Sequence, residues 1–148
     1  MELRTEVLDN DGRHYKEDAV SKSVVELVAE AKSQIESVSP QGASTEAASG
    51  AAVLLDIREP VEWEHHIAGA VQVPRGLLEF VADPASPRHN AELDPARRVI
   101  VYCRSGARAA LAAVTLKGMG YENVANLEGG FGAWQEAGLP STEHHDGI

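Results

Sequence analysis

Cys103 is the only cysteine of the 148-residue sequence, and the residues around it suit a nucleophile. It follows the apolar run Val99–Tyr102 and precedes a short loop, 104–108, that contains a serine, a glycine and two arginines. A thiol attacks as its thiolate, and a helix N-terminus and nearby cations both stabilise a thiolate. The pattern predicts a nucleophilic Cys103. The alternative is an inert, buried cysteine at the end of a strand.

The loop after Cys103 has the composition of an anion-binding turn. Its backbone N–H groups, if they face the loop centre, form a concavity of the kind that holds phosphates. The glycine permits the dihedral angles of a tight turn, and the serine can cap the helix that follows. The predicted active-site loop comprises Arg104, Ser105, Gly106, Ala107 and Arg108. Arg108 either contacts a bound anion or ties the loop to the sheet, and the sequence leaves this open.

Three further residues are candidates for supporting positions around the loop. Asp56 and Arg58 follow the apolar run 52–55, so they should lie at the same sheet edge as Cys103. Asp56 could orient Arg58 or accept loop N–H groups, and a structural ion pair is the favoured interpretation. Arg75 follows a short strand and could line the rim of the pocket or simply be exposed to solvent.

Composition restricts the partners and the compartment. The formal net charge is −10, so nucleic-acid binding is not expected, because phosphate contacts need a basic face. No run approaches the roughly eighteen apolar residues of a membrane helix, and residues 1–20 lack the apolar middle of a secretory signal. We therefore expect a cytoplasmic protein without membrane association. Five basic and no acidic residues between 97 and 117 could attract a small anion.

A single cysteine has a chemical consequence. It forms no internal disulfide and has no resolving thiol, so a group carried on Cys103 must leave to an acceptor outside the chain. The histidine pairs at 65–66 and 144–145 lack zinc-ligand spacing, and His66 should satisfy a backbone group instead. No metal and no cofactor are predicted.

Apolar runs and turn signals define the elements that must position these residues. Residues 1–20 should form a mobile or loosely docked charged extension, 21–140 a single domain and 141–148 a polar tail. We predict helices at 23–38, 60–66, 76–81, 107–117 and 131–137, strands at 52–56, 70–73, 98–102 and 124–126, and a polar connector at 39–45. Glu59, Glu62 and Glu64 should form a solvated helix face. The alternation predicts an α/β fold with a mostly parallel sheet and helices on both faces.

Four segments, in chain order, resemble the motifs of the rhodanese-like sulfurtransferase domains. They are residues 55–60 (LDIREP) with Glu62 and Trp63, 66–70 (HIAGA), 103–108 (CRSGAR), and 127–131 (LEGGF) with Trp134. The resemblance covers residues 53–140, and the helix at 23–38 would extend the domain to residue 21. His65 and Ala68 replace the family's usual glycine and proline, which changes a surface turn.

The resemblance implies a three-layer α/β/α fold and sulfur transfer. A small anionic donor such as thiosulfate would leave a sulfur on Cys103 as a persulfide and release sulfite. Cyanide in the test tube, or a thiol or protein in the cell, would then take the outer sulfur. Loop N–H groups would stabilise that sulfur, and Arg104 and Arg108 would bind an oxyanion donor.

Two other functions remain open at this stage. A phosphatase or arsenate reductase would use a similar loop, but dual-specificity phosphatases have a loop one residue longer than the four residues between Cys103 and Arg108. A tighter loop suits one sulfur atom better than a phosphoryl group. A regulatory module or a persulfide carrier could use the same fold without turnover, and composition does not exclude either.

Overall fold

A computed structural model of the chain describes residues 4–8, 10–18 and 21–143. The first two strands, β1 (Arg4–Leu8) and β2 (His14–Asp18), pair antiparallel, with Arg4 opposite Asp18. Gly12 lies in the turn between them with a φ of 80°, a value that favours glycine. The described part of the N-terminal extension is therefore a hairpin, which the charge pattern did not predict.

The remaining elements build a parallel five-stranded sheet with helices on both faces. In chain order they are α1 (Val24–Gln34), β3 (Glu36–Val38), α2 (Pro40–Ala48), β4 (Val53–Asp56), β5 (His65–Ile67), β6 (Val71–Gln72), α3 (Leu78–Ala82), β7 (Val99–Tyr102), α4 (Ala107–Gly118), β8 (Val124–Leu127), α5 (Gly130–Glu136) and β9 (Ser141–Glu143). The sheet order is β3-β8-β7-β4-β6, while β5 and β9 form a separate antiparallel pair. This confirms the predicted α/β fold. No helix of the described residues has the length and apolar character to cross a membrane.

The central strand β7 is buried on both faces, which fixes the position of Cys103. Val99 and Val101 pack into one apolar cluster with α3 and α4, whereas Ile100 and Tyr102 pack into a second cluster with α2 and α5. Each such side chain contributes about 1.5–3 kcal/mol when it leaves water. A strand held from both sides is a rigid platform for the residue that follows it.

Two predicted segments on the N-terminal side of the domain were wrong. The predicted helix at 23–38 ends at Gln34, because Ile35 is extended and the next three residues pair with β8, Val38 opposite Leu127. The predicted connector at 39–45 is instead the start of α2. Ser39 Oγ accepts a hydrogen bond from the N–H of Gly42 at 3.1 Å, and Pro40 occupies the first turn, where proline is favoured.

The predicted helix at 60–66 was also wrong. A single 3-10 turn, Pro60–Glu62, is followed by β5, which pairs with β9 from the far end of the described chain. This long-range pairing overrides the local helical signal of proline followed by glutamates. The first three residues of the expected polar tail thus form a strand, and the histidine pair at 144–145 lies outside the described residues.

Candidate active site

Cys103 is the first residue after β7, at the point where the sheet's connections diverge. The connection from β4 leads to β6 on one side, and that from β7 leads to β8 on the other, so a crevice opens between the carboxyl ends of β4 and β7. Cys103 is 1% exposed, and its Sγ accepts hydrogen bonds from the N–H of Gly106 at 3.1 Å and of Ala109 at 3.4 Å. The N-terminus of α4 therefore points at the sulfur, as the sequence predicted.

Three carbonyl groups of the loop are held by donors outside it. The Cys103 carbonyl accepts a hydrogen bond from the N–H of Phe131 at 2.8 Å, and the Arg104 carbonyl accepts one from the N–H of Gly132 at 3.0 Å. The Gly106 carbonyl accepts one from Asn126 Nδ2 at 3.1 Å. Two of the donors are backbone groups in the first turn of α5, and the third is a side chain of β8. The loop is thus fastened to the two elements that follow α4 in the chain.

These anchors determine where the loop N–H groups point. In a trans peptide the carbonyl and the N–H of the next residue point in opposite directions. Because the carbonyls of Cys103, Arg104 and Gly106 face their anchors, the N–H groups of Arg104, Ser105 and Ala107 point away from these anchors. No acceptor among the described residues bonds to any of these three groups. The loop therefore offers unoccupied donors to an anion beside Cys103.

The two loop arginines have different environments. Arg108 makes a bidentate ion pair with Glu62, at 2.7 Å and 3.0 Å, and is 40% exposed. Hydrogen bonds from Arg108 lower the pKa of Glu62 to about 2. The N–H of Glu59 also lowers this pKa, whereas partial burial of the carboxyl raises it. Arg104 is exposed and has no ion-pair partner in the part of the chain that the structure describes. Glu62 is thus not the solvated residue that was expected.

Asp56 and Arg58 form a buried ion pair at the end of β4. Arg58 is 4% exposed, donates to both Asp56 oxygens at 3.0 Å and 2.8 Å and to the His65 carbonyl at 2.8 Å, and lies 4.6 Å from the ring centre of Phe131. Burial disfavours the charged guanidinium of Arg58, but the hydrogen bonds and the negative charge of Asp56 favour it more strongly. The pKa of Arg58 is therefore raised. The pair has the structural geometry favoured for Asp56, and it links β4 to β5 and α5.

Tyr102, the last residue of β7, completes this buried network. Its hydroxyl donates to Asp56 at 2.9 Å and accepts from the N–H of Ile67 at 3.2 Å. Burial and the neighbouring Asp56 carboxylate raise the pKa of Tyr102 far above its usual value. The hydroxyl therefore stays protonated and holds β7, β4 and β5 in register immediately before Cys103.

Arg75 is not brought to the loop. It pairs with Glu79 at 3.0 Å and donates to Thr115 Oγ1 at 3.2 Å. Thr115 is eight residues along α4 from Ala107, about 12 Å from the loop end of the helix. The basic stretch 97–117 is likewise dispersed, since Arg98 at the opposite end of β7 is neutralised by glutamates of β3 and α2. The predicted basic surface is not a single patch.

Sequence reasoning missed two residues that shape the loop. Asn126 was noted only as a strand residue, although a buried polar side chain at a strand's carboxyl end is itself a signal. Gly130 was included only as part of the motif 127–131, with no role of its own. A Cβ on Gly130 would lie 2.6 Å from the backbone carbonyl of Arg104, so only glycine lets α5 approach the loop this closely.

His66 of β5 contacts the backbone. His66 Nδ1 lies 3.1 Å from the carbonyl of Trp63, which confirms that this side chain satisfies a backbone group. Among the described residues, no group of three or more histidine, cysteine, aspartate or glutamate side chains is placed to hold a metal ion.

The fold is thus a parallel α/β sheet whose central strand ends at a buried cysteine, and the sulfur of that cysteine accepts two N–H groups from the start of the following helix. Residues 39–137 match the family model described as a rhodanese-like domain, which is more than half of the chain. The chain therefore belongs to the rhodanese-like family, as its motifs suggested.

Known proteins agree with this assignment. A sulfurtransferase of Allochromatium vinosum is 40% identical over 60% of this chain and 76% of that protein. The thiosulfate sulfurtransferase GlpE of Pseudomonas entomophila is 33% identical over 70% of this chain and 87% of that protein. A solved structure from Rhodopseudomonas palustris, described as a protein of unknown function and possible tyrosine phosphatase, has a TM-score of 0.75 and 39% identity over 82% of this chain and 95% of that one. Other curated relatives are much longer, and the chain spans 21% of their length.

Proposed function

We propose that this chain is a sulfurtransferase that takes a sulfane sulfur from a small anionic donor such as thiosulfate onto Cys103. The observation that carries the proposal is the loop itself, in which Sγ accepts two N–H groups, while the N–H groups of Arg104, Ser105 and Ala107 lie opposite anchored carbonyls and bond to no acceptor in the described part of the chain. Such an arrangement stabilises negative charge on a second sulfur bonded to Sγ. The relationship to GlpE, named as a thiosulfate sulfurtransferase, supports thiosulfate as the donor.

In the first half of the reaction the Cys103 thiolate attacks the outer sulfur of the donor. A bond forms between Sγ and that sulfur, the donor's sulfur–sulfur bond breaks, and sulfite leaves with the bonding electron pair. The product is a Cys103 persulfide whose outer sulfur bears the negative charge. The N–H groups of Arg104, Ser105 and Ala107 are the donors available to it, so the loop binds the charge that develops.

In the second half an acceptor attacks the outer sulfur, and the Cys103 thiolate leaves. The chain has no other cysteine, so the acceptor comes from outside it. Cyanide serves in the test tube, and a thiol or a protein would serve in the cell. A cytoplasmic location belongs to this proposal, because thiol acceptors are kept reduced there.

The two loop arginines have separate tasks in this mechanism. Arg104 is the one that binds the oxyanion end of the donor, because it is exposed at the loop and has no ion-pair partner among the described residues. Arg108 is held by both oxygens of Glu62 and anchors the start of α4 to the 3-10 turn after β4. The Asp56–Arg58 pair keeps the carboxyl ends of β4 and β7 in place and is not a donor contact.

Thiosulfate:cyanide turnover tests this proposal. Wild-type protein should produce thiocyanate, and Cys103→Ala should produce none while retaining its fold. Hydrolysis of p-nitrophenyl phosphate is the matched measurement for the phosphatase alternative, suggested by the description of the Rhodopseudomonas palustris structure. Phosphate release without thiocyanate would overturn the proposal. A wild-type persulfide that cyanide does not discharge, but a protein acceptor does, would instead identify a carrier.

A further inference from the structure

Asn126 is a buried polar residue whose side chain contacts the active-site loop. It lies near the carboxyl end of β8, opposite Val101 of β7, and is 3% exposed. Its Nδ2 donates to the carbonyl of Gly106 at 3.1 Å, across 20 residues of sequence. It is the one side chain among the three donors that hold the loop carbonyls from outside.

Gly106 connects this side chain to the reacting sulfur. Its N–H donates to Cys103 Sγ at 3.1 Å, and its carbonyl accepts from Asn126 and from the N–H of Ala110, also at 3.1 Å. Its φ of 102° is allowed for glycine and strained for other residues. Because Gly106 has no side chain, steric contacts restrain its backbone dihedral angles only weakly. The direction of the peptide between Gly106 and Ala107 therefore depends on the groups that hold its carbonyl.

One atom of the Asn126 side chain lowers the stability of the folded protein. Its Oδ1 is buried and has no hydrogen-bond partner among the described residues. A buried polar atom without a partner destabilises the folded state, and an apolar residue of similar shape would avoid that penalty. Ala110 would still hold the Gly106 carbonyl in the helix. The hydrogen bond that offsets this cost is the one that Nδ2 donates to the loop carbonyl.

We propose that Asn126 is a positioning residue for sulfur transfer: by holding the Gly106 carbonyl, it keeps the N–H of Ala107, which lies in the same peptide, directed at the sulfur that Sγ carries. The proposal rests on the sulfurtransferase function proposed above. The N–H groups that converge on the sulfur repel one another when no anion is bound, so the loop needs restraints from outside to stay open for a donor. Asn126 supplies the restraint at the helix end of the loop, as Phe131 and Gly132 do at the strand end.

Two variants of different volume remove the Nδ2 donor. Asn126→Leu and Asn126→Ser should each lower kcat/KM for thiosulfate about tenfold, because misdirected N–H groups stabilise the transition state less well. Asn126→Leu should unfold at the wild-type temperature or above, since it also removes the unpaired Oδ1. Asn123→Asp is the control, because Asn123 is exposed at the other end of β8 and should leave kcat/KM unchanged.

A third variant distinguishes positioning from packing. In Asn126→Asp a carboxylate repels the Gly106 carbonyl, whereas the protonated acid can donate its O–H to it. Burial raises the pKa of such a carboxyl, so the activity of Asn126→Asp relative to Asn126→Leu should rise as the pH falls from about 8 to about 5.5. Cys103 is the titratable side chain that also contacts the Gly106 peptide, so the two variants are compared with each other at every pH.

Three results would overturn the proposal while wild-type protein still forms thiocyanate. The first is wild-type kcat/KM in folded Asn126→Leu and Asn126→Ser. The second is a loss of activity no larger than the loss of folded protein. The third is a ratio of Asn126→Asp to Asn126→Leu that does not change with pH. Absence of thiocyanate from the wild-type protein would instead refute the sulfurtransferase function.

Discussion

Replacing Gly130 with alanine should disable the loop without touching any loop residue. The new Cβ would lie 2.6 Å from the carbonyl atoms of Arg104 and from the carbonyl oxygen of Cys103, a separation that real Cβ contacts do not reach. Because all three contacts are backbone atoms, relief requires α5 and the loop to move apart. That movement stretches the two hydrogen bonds, now 2.8 Å and 3.0 Å, that direct the loop's N–H groups inward.

The loss of stability in Gly130→Ala has two contributions, backbone strain and steric clash, and a control variant separates them. Gly130 has a φ of 62°, and an alanine there costs about 1–2 kcal/mol in backbone strain. The clash adds about 1–3 kcal/mol of overpacking. Gly138 has a φ of 71°, and a Cβ added to it would have nothing within 4 Å, so Gly138→Ala bears the first cost alone. A loop displaced by about 1 Å should lose up to about 100-fold in kcat/KM.

Thermal unfolding and thiosulfate:cyanide kinetics of the two variants test this reasoning. We expect Gly130→Ala to have the lower unfolding temperature of the two and a kcat/KM at least about tenfold below that of Gly138→Ala. Equal kinetics in the two variants would show that contact between α5 and the loop carbonyls does not direct the N–H groups. The role assigned to Phe131 and Gly132 as loop anchors would then be wrong.

Three further predictions concern single ion pairs and cations. Arg104→Ala should raise the KM for thiosulfate about tenfold, as loss of a charge-assisted contact does, and Arg97→Ala, an exposed control, should not. Glu62→Gln should lower the free energy of unfolding by about 1 kcal/mol at pH 7 after allowance for solvent screening. Because the folded pKa of Glu62 is lowered to about 2, this difference should persist above the ordinary pKa of glutamate and disappear as the pH falls toward 2, measured by denaturant titration at each pH. Arg58→Met should cost about 3–5 kcal/mol in the same titration, because it leaves the Asp56 carboxylate buried and unpaired, and a loss below about 1 kcal/mol would contradict the buried pair.

The parts of the fold that the sequence predicted are those with a strong local signal. Strand β7, the turn at Gly106 and helix α4 are consecutive, and each carries its own pattern of apolar residues or a helix breaker. The connector predicted at 39–45 missed a local signal, the Ser39 cap followed by Pro40, whereas two other errors fell where a distant strand decides the structure. Ile35 and Val38 fit the apolar stripe of a helix, yet pairing with β8 makes residues 36–38 an edge strand of the sheet. The pairing of β5 with β9 likewise ends the helix expected after Pro60.

In the candidate site, too, the sequence predicted the residues that are neighbours in the chain and missed the contacts between distant ones. Cys103 and its loop were identified because the chemistry lies within six consecutive residues. The carboxylate that holds Arg108 lies 46 residues away, and the amide that holds Gly106 lies 20 residues away, so neither partner is visible in a local pattern. The sequence could therefore name a candidate nucleophile but could not show which of the two loop arginines makes an ion pair.

The most direct test of the central claim is the intact mass of the protein after incubation with thiosulfate. We predict that wild-type protein gains the mass of one sulfur atom and releases an equal amount of sulfite, that cyanide removes the added mass, and that Cys103→Ser gains none. A wild-type protein that gains no sulfur from thiosulfate or from other sulfane donors would contradict the claim, and so would an adduct of the same size on Cys103→Ser.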